Sequence, residues 1–318
     1  MARTGFSLLN VAVACAAFVA CCGANAAAVE LKLKLEKGET YYQRTAVQQR
    51  VTRTVTGNKR VAEQNVGTGL EMEVLDVDPN ENMRIQCTYI WSAFEQPSAM
   101  RIIYYDSSER TSVPAGAEGF AALLGRSFTV TLSPRGEVLD VNGVERMRQA
   151  VLAELPEDVR AAPTMSAVMP FLYEESQSEM IASTMAVYPD RRVLEGNSWS
   201  RSAISSRDTR VIVQSQFTLR EHQAGMAAIE VTSSVEPDPN APLAEEGEMV
   251  VQYELAGTEE GFVKLLERSG LIVSYQVRQQ LKGRIRKAES AEDLNYATTV
   301  PVEIERLIIS EMSAEPWG

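Results

Sequence analysis

Apolar and polar residues alternate along most of the chain after residue 27, a pattern typical of strands that bury one face. In the clearest run, residues 40–56, Tyr41, Val47 and Val51 fall on one side and Arg44 falls on the other. Strands of about sixteen residues reach roughly 50 Å at 3.3 Å per residue. Because strands of this length coil, the pattern predicts a strongly curved antiparallel sheet.

Turn residues separate the alternating runs. Gly57-Asn58 predicts a two-residue hairpin turn, and Asp78-Pro79-Asn80 predicts the next turn. Ser133 to Gly136 places Pro and Gly where a type I turn followed by a bulge needs them. The last predicted strand, residues 295–309, contains Pro301, which indicates an edge strand or a bulge.

The period of the apolar residues changes between residues 143 and 190. Val144, Met147 and Val151 recur at helical spacing before Pro156, and a second helical stretch follows from residue 164 to residue 187. We therefore expect a helical linker between two β-rich regions.

Those regions begin alike, each with a glycine followed three residues later by an aromatic residue. The pairs are Gly38 with Tyr41 and Gly196 with Trp199. Further landmarks follow in the same order: Ile85 and Cys87 match Ile229 and Val231, and Phe128, Leu132 and Gly136 match Phe262, Leu266 and Gly270. This order predicts an internal repeat. We expect the glycines to allow a sharp entry turn and the aromatic rings to cap a core, which is a structural role.

The predicted fold is α+β and mainly antiparallel β, with two strongly curved, pseudo-duplicated sheets joined by a helical segment. Its parts are a signal peptide (1–26), a first β unit (27–142), the helical linker (143–190), a second β unit (191–312) and a disordered tail (313–318).

The first 26 residues predict export. Arg3 supplies a positive start, residues 6–22 are apolar, and small residues end at Ala26, a cleavage position. Alternatively, Val19-Ala20-Cys21 resembles a lipobox, which makes Cys21 the lipidation candidate. We therefore expect a periplasmic or extracellular protein, either free or anchored by lipid, with no transmembrane segment after cleavage. Only Cys87 then remains, so no intrachain disulfide forms.

The formal net charge is −12, and loss of the signal with its single charge, Arg3, makes it −13. Nucleic acids and anionic membrane surfaces bind clustered Lys and Arg. The overall sign therefore disfavours both as partners.

Residue types that carry catalysis are scarce. His222 is the only histidine and falls in a predicted turn, where we expect it to be solvated. "GNSWS" lacks the second glycine of a nucleophile elbow, and "DVDPNEN" has Glu81 where a calcium loop needs glycine. Cys87 is expected to be a small core residue. We expect no metal, no cofactor and no enzymatic activity, with a hydrolase as a distant alternative.

One composition feature suggests a ligand. Five of the chain's twelve methionines lie in or next to the predicted linker: Met147, Met165, Met169, Met180 and Met185. Thioether side chains adapt to varied apolar shapes, so a lid of this kind is suited to a lipid-like ligand. The alternative is that the helices simply pack on the core.

Several stretches resemble a known family: "YPDRRV", the following "EGNSW", and the earlier "FTVTLSPRGEVLDVNG". They are similar to an uncharacterised family of bacterial exported proteins and lipoproteins, known only as domains of unknown function. The resemblance implies export and a β-rich fold, and no activity. The expected function is a non-enzymatic envelope module that binds an apolar ligand or a protein partner. The alternative is a structural or assembly component of the envelope without a small ligand.

Overall fold

A computed structural model describes residues 27–97, 102–109, 112–205, 210–241, 243–246 and 249–317. Within these residues, thirteen strands form one antiparallel sheet. The strands are β1 (Thr40–Val55), β2 (Asn58–Val77), β3 (Met83–Pro97), β4 (Ile102–Asp106), β5 (Ser127–Leu132), β6 (Val138–Asn142), β7 (Ser198–Ser205), β8 (Val211–Gln223), β9 (Met226–Pro237), β10 (Ala244–Glu246), β11 (Met249–Leu266), β12 (Ile272–Ala288) and β13 (Thr298–Ser313). Several are as long as the sequence predicted.

The helices are short and lie mostly between β6 and β7. They are α1 (Glu118–Ala121), α2 (Val144–Glu154), α3 (Glu157–Arg160), α4 (Met165–Val168) and α5 (Glu174–Met185), with 3-10 turns at Met169–Leu172 and Glu292–Tyr296. The predicted second helical stretch is therefore broken into three pieces. Among the described helices, none is both long and apolar enough to cross a membrane.

The expectation of two separate sheets is wrong. The strand order is β6-β5-β3-β2-β1-β13-β12-β11-β9-β8-β7, with β4 on β3 and β10 on β11. Because β13 pairs with both β1 and β12, it joins the two halves into one continuous sheet.

The two halves nevertheless have the same strand order, a meander of five strands each. Both begin with a glycine in the left-handed region: Gly38 has φ 85° and Gly196 has φ 82°. Each glycine N–H donates to a strand carbonyl, that of Val74 at 2.8 Å and that of Leu219 at 2.7 Å. The sharp entry turns are thus observed, while the internal repeat itself stays a prediction.

One proposed match between the halves is off by a residue. Cys87 pairs with Phe128, whereas its counterpart Val231 pairs with Gly261 and not with Phe262. Phe128 is 2% exposed and Phe262 is 40% exposed. Because side chains alternate between faces, this shift places Phe262 on the opposite face of the sheet.

Two local predictions also need correction. The first hairpin turns at Thr56-Gly57, one residue earlier than expected, because both residues have the positive φ values (49° and 79°) that suit a two-residue turn. Pro301 lies in a central strand. It is tolerated because the pairing of β13 with β1 ends at Val302, so no neighbour there needs its missing N–H.

The main core lies between the curved sheet and the helices. Gln177 of α5 is buried and donates to the Tyr89 hydroxyl at 2.5 Å and to the Phe171 carbonyl at 2.7 Å. These bonds fix the helical segment against β3. The expected tail begins inside β13, and Trp317 packs edge-on against Tyr42 with ring centroids 6.1 Å apart.

The segment before β1 links two turns of the sheet. The Leu33 N–H donates to Pro134 O at 2.8 Å, and the Lys34 N–H donates to Ser269 O at 2.7 Å. Gly270 packs so closely here that an added Cβ would lie 2.1 Å from Lys32 O. The first residues of the described chain therefore hold the β5–β6 and β11–β12 turns together.

The substitution Gly270→Ala tests this close approach against Gly57→Ala. Both glycines have a positive φ (70° and 79°), but nothing lies within 4 Å of an added Cβ at Gly57. Each change should cost about 1 kcal/mol for the left-handed backbone, and Gly270→Ala about 1–3 kcal/mol more for overpacking. Urea unfolding measures both free energies. Equal losses would show that the segment is not held against the turn.

Candidate binding face of the sheet

Directly paired residues place a row of polar side chains across the inner face of the sheet. Residues directly opposite each other in antiparallel strands share a face. Successive pairs connect eight neighbouring strands from β2 to β7: Gln64, Gln49, Arg306, Gln279, Glu259, Ser233, Ser215 and Arg201. We call these eight residues the polar row.

Two rows of apolar, aromatic and glycine residues, none of them charged, flank the polar row. One is Val66, Val47, Ile308, Val277, Gly261, Val231, Phe217 and Trp199, and the other is Ala62, Val51, Ile304, Leu281, Gly257, Val235, Val213 and Ala203. The first borders the main core, and the second borders a smaller core that contains strand residues alone. The polar row thus separates two apolar clusters on one face.

The middle of the row carries opposite charges and hydrogen bonds. Arg306 donates from Nε and Nη2 to Gln49 Oε1, at 3.0 and 2.7 Å. Gln279 donates to Glu259 Oε1 at 2.7 Å. Burial lowers the pKa of Arg306, and the charge of Glu259 opposes that shift.

Gln279 has an unused acceptor. Its side chain is 4% exposed, and its Oε1 atom has no hydrogen-bond partner among the described residues. A buried polar atom without a partner costs free energy. Arg306 is paired directly across from Gln279, so an acceptor and a cation lie side by side. A ligand with an anionic oxygen and a hydroxyl group would satisfy both.

The inner face remains accessible where β2, β1 and β13 cross it. Its apolar side chains there are only partly buried: Val66, Val47, Val51, Ile304 and Ile308. All buried apolar side chains of the helices belong to the main core, so the helices fill one end of the curve. The other end of the face is open for an apolar group to lie on.

Glycines bring the strands into close contact beside Glu259. An added Cβ at Gly257 would lie 1.8 Å from Gln280 O, and one at Gly261 would lie 2.0 Å from Gln276 O. Larger residues would push β11 away from β12. These glycines therefore permit tight packing of β11 on either side of the acidic member of the row.

The row ends at a polar pocket of about 180 Å³. Its lining includes Arg135, Arg191, Arg201, Tyr188 and Trp199. Arg201 of β7 donates to Glu137 Oε1 at 2.9 Å and to Tyr188 O at 2.7 Å. Because Glu137 lies beside β6, this ion pair connects the two ends of the strand order, and the sheet must curl to form it.

The methionines predicted to line a ligand site lie in or against the main core. Met147, Met165 and Met185 are buried, and Met169 and Met180 are partly buried against the same cluster. Neither this pocket nor a second one beside the β1–β2 hairpin is lined by any of the five. Their placement supports the packing alternative.

The other residues that the sequence analysis considered for a site lie away from the middle of the polar row. Tyr41 and Trp199 are each 8% exposed, and Trp199 donates to Val187 O at 2.9 Å. Cys87 is fully buried, and burial raises the pKa of its thiol to about 12. His222 is wrongly predicted as a solvated turn residue: it lies in β8, with Nδ1 3.4 Å from Glu267 Oε1. Cys21 lies outside the described residues.

Sequence reasoning missed the polar row. Gln49, Gln279 and Arg306 each stand at an inward position of a strand, where an apolar residue is expected. That interruption of the alternation was the available signal. Its meaning depends on strand register, which joins residues more than 200 positions apart.

Fold and site together define a large curved antiparallel β-sheet protein with helices inside the curve. The model of a family of unknown function, DUF6263, matches residues 80–272, which is more than half of the chain. The chain belongs to this family. None of the curated proteins matches it.

Solved structures with some similarity differ widely. A chain described under lipid–protein interactions in lipovitellin has a TM-score of 0.45 and 10% identity, covering 89% of this chain and 26% of that one. This chain thus spans about a quarter of that chain. DynF from the dynemicin pathway of Micromonospora chersina has a TM-score of 0.19 and 7% identity, covering 88% of this chain and 83% of that one. An outer membrane channel of Pseudomonas putida F1 has a TM-score of 0.23 and 7% identity, covering 88% of this chain and 97% of that one. These scores support no inference about function.

The Arg201–Glu137 ion pair should give a pH-dependent contribution to stability. Burial of Glu137 alone would raise its pKa, but the Arg201 hydrogen bond and the charges of Arg135 and Arg201 outweigh it, so the pKa lies below its usual value. A lowered pKa in the folded state stabilises above the unfolded value of about 4.3, and the effect is lost as pH falls through the folded value.

We therefore expect Glu137→Gln to lower the free energy of unfolding near pH 7 by about 0.5 to 1 kcal/mol, since the carboxylate is partly solvated. The difference from the wild type should shrink as the pH falls below about 4. Urea unfolding across this range measures it. A constant difference at every pH would contradict the ion-pair account.

Proposed function

We propose that this chain is a non-enzymatic envelope protein that binds an amphipathic, lipid-like ligand on the inner face of its sheet. The observation that carries the proposal is the polar row, with its buried acceptor and cation, between two apolar rows on an accessible face. An apolar core without a function would gain stability from apolar residues at these positions.

The two kinds of surface suit the two parts of an amphiphile. The headgroup lies at Arg306 and Gln279, where a carboxylate or phosphate oxygen accepts from the guanidinium and a hydroxyl donates to Gln279 Oε1. The apolar chain lies across Val51 and Ile304, which are partly exposed on the side away from the helices. Removing this surface from water supplies about 25 cal/mol per Å².

We propose export as the setting of this function. The apolar N-terminal stretch and the small residues before Ala27 support a periplasmic or extracellular location. The mature chain begins either at Ala27 or at a lipidated Cys21.

Intact-mass measurement of the chain expressed in a bacterium distinguishes the two starts. We expect either the mass of residues 27–318 or that of residues 21–318 plus acyl groups. A full-length chain of 318 residues that retains its first residues would contradict export.

The ligand site is tested with a fluorescent long-chain fatty acid and the variant Arg306→Met. Loss of a hydrogen bond to a charged group should weaken binding at least about tenfold. Arg278→Met is the matched control, because Arg278 is an exposed residue next to Gln279 on the opposite face of β12. It should bind like the wild type.

Stability of the unliganded variants separates binding from folding. Removing a buried charge offsets the lost hydrogen bonds to Gln49, so Arg306→Met should unfold within about 1 kcal/mol of the wild type. Absence of probe binding by the wild type, together with lipid-free extracts of the purified protein, would overturn the proposal and favour a structural component without a small ligand.

A further inference from the structure

Strand β1 and the turn end of β2 are basic, although the whole chain is acidic. Residues 40–62 contain five cationic residues and no acidic one, against a net charge of −12 for the chain. Arg44 stacks 3.9 Å from the centre of the Trp91 ring, and Arg50 pairs with Glu63. The remaining three are Arg53, Lys59 and Arg60, which we call the basic tip. The overall charge hides this cluster.

The basic tip is exposed and has no neutralising partner in the described part of the chain. Arg53, Lys59 and Arg60 are all exposed, and no ion pair to any of them is found there. Arg53 is paired directly opposite Arg60. Like charges at directly opposed positions destabilise a hairpin, so the arrangement is unfavourable unless an anion lies nearby.

The hairpin also extends past its neighbours. Pairing of β1 with β13 ends at Arg53, and pairing of β2 with β3 ends at Asn65. Residues 54–64 therefore pair only within the β1–β2 hairpin. Arg53 and Arg60 lie on the inner face and Lys59 on the outer face, so cations surround the end of the hairpin. Val61, 57% exposed, adds an apolar side chain.

A small cavity adjoins the tip. Its volume is about 110 Å³, and its lining includes Thr52, Thr54, Lys59, Lys282 and Glu303. Glu303 Oε1 lies 3.9 Å from Lys282 Nζ, so these two charges offset each other. Lys59 and the two threonines are then the groups that can bind an anion in the cavity. Hydroxyl and ammonium groups together are suited to a phosphate oxygen.

We propose that the basic tip docks on an anionic phospholipid surface, with a lipid headgroup phosphate in the adjoining cavity. The choice of a membrane rests on the proposed function: residues 53 and 60 directly follow the apolar pair Val51 and Ala62 on the inner face. A protein that binds an amphiphile on the inner face must reach the membrane that contains the amphiphile. The basic tip forms one end of this inner face.

Vesicle binding tests the proposal. The full chain should bind phosphatidylcholine vesicles that contain phosphatidylglycerol and not vesicles of phosphatidylcholine alone. Each basic residue near such a surface strengthens binding about fivefold, so the triple variant R53Q/K59Q/R60Q should bind on the order of 100-fold more weakly. High salt should have the same effect on the wild type.

The control R146Q/R160Q/R278Q removes the same charge from exposed positions outside the hairpin and should bind within about twofold of the wild type. An equal loss in both triple variants, or no preference for phosphatidylglycerol, would overturn the proposal. Tighter binding to a DNA duplex or to inorganic phosphate would overturn the choice of a membrane.

Arg306→Met separates this proposal from the ligand site. That variant should lose the fatty-acid probe and keep its vesicle binding, since Arg306 is not part of the tip. A wild-type protein that binds the probe but does not bind anionic vesicles would contradict the docking proposal and leave the proposed ligand site standing. Vesicle binding without probe binding would leave docking intact and remove the proposed ligand.

Discussion

The backbone pairing of β13 with both β1 and β12 is the constraint on which the rest of the structure depends. Among the described strands, it is the connection that turns two meanders into a single sheet. It also sets the register that places Arg306 between Gln49 and Gln279. A shift of one residue in this strand would turn Arg306 outward and expose its apolar neighbours, so fold and candidate site share one determinant.

Two opposing demands shape the inner face. Close packing at Gly257 and Gly261 draws strands together and favours a dry interior. The polar row crosses that interior and retains an acceptor with no partner within the described chain. A protein selected for stability alone would remove such a group. This combination is the reason for the proposal that the partner of Gln279 is a ligand from outside the chain.

The sequence indicated local features more reliably than long-range ones. Alternation predicted β1 and its long neighbours, and Gly38 and Gly196 predicted their turns, because these signals lie within a few residues. The single sheet could not be predicted, since residue 49 meets residue 306 only through strand pairing. The errors at Phe262 and His222 have a similar cause: register and packing decide which face a side chain takes.

The central position of β13 has a consequence for how the chain is made. Synthesis produces β1 well before its partner β13, with more than 240 residues between them. Until β13 emerges, β1 and β12 each present a long unpaired edge, the kind of surface that recruits foreign strands. Completion of the sheet therefore waits for β13, and folding must be slow because its central pairing is its most distant one. Shielding by a chaperone during that interval would meet a need that the topology itself creates.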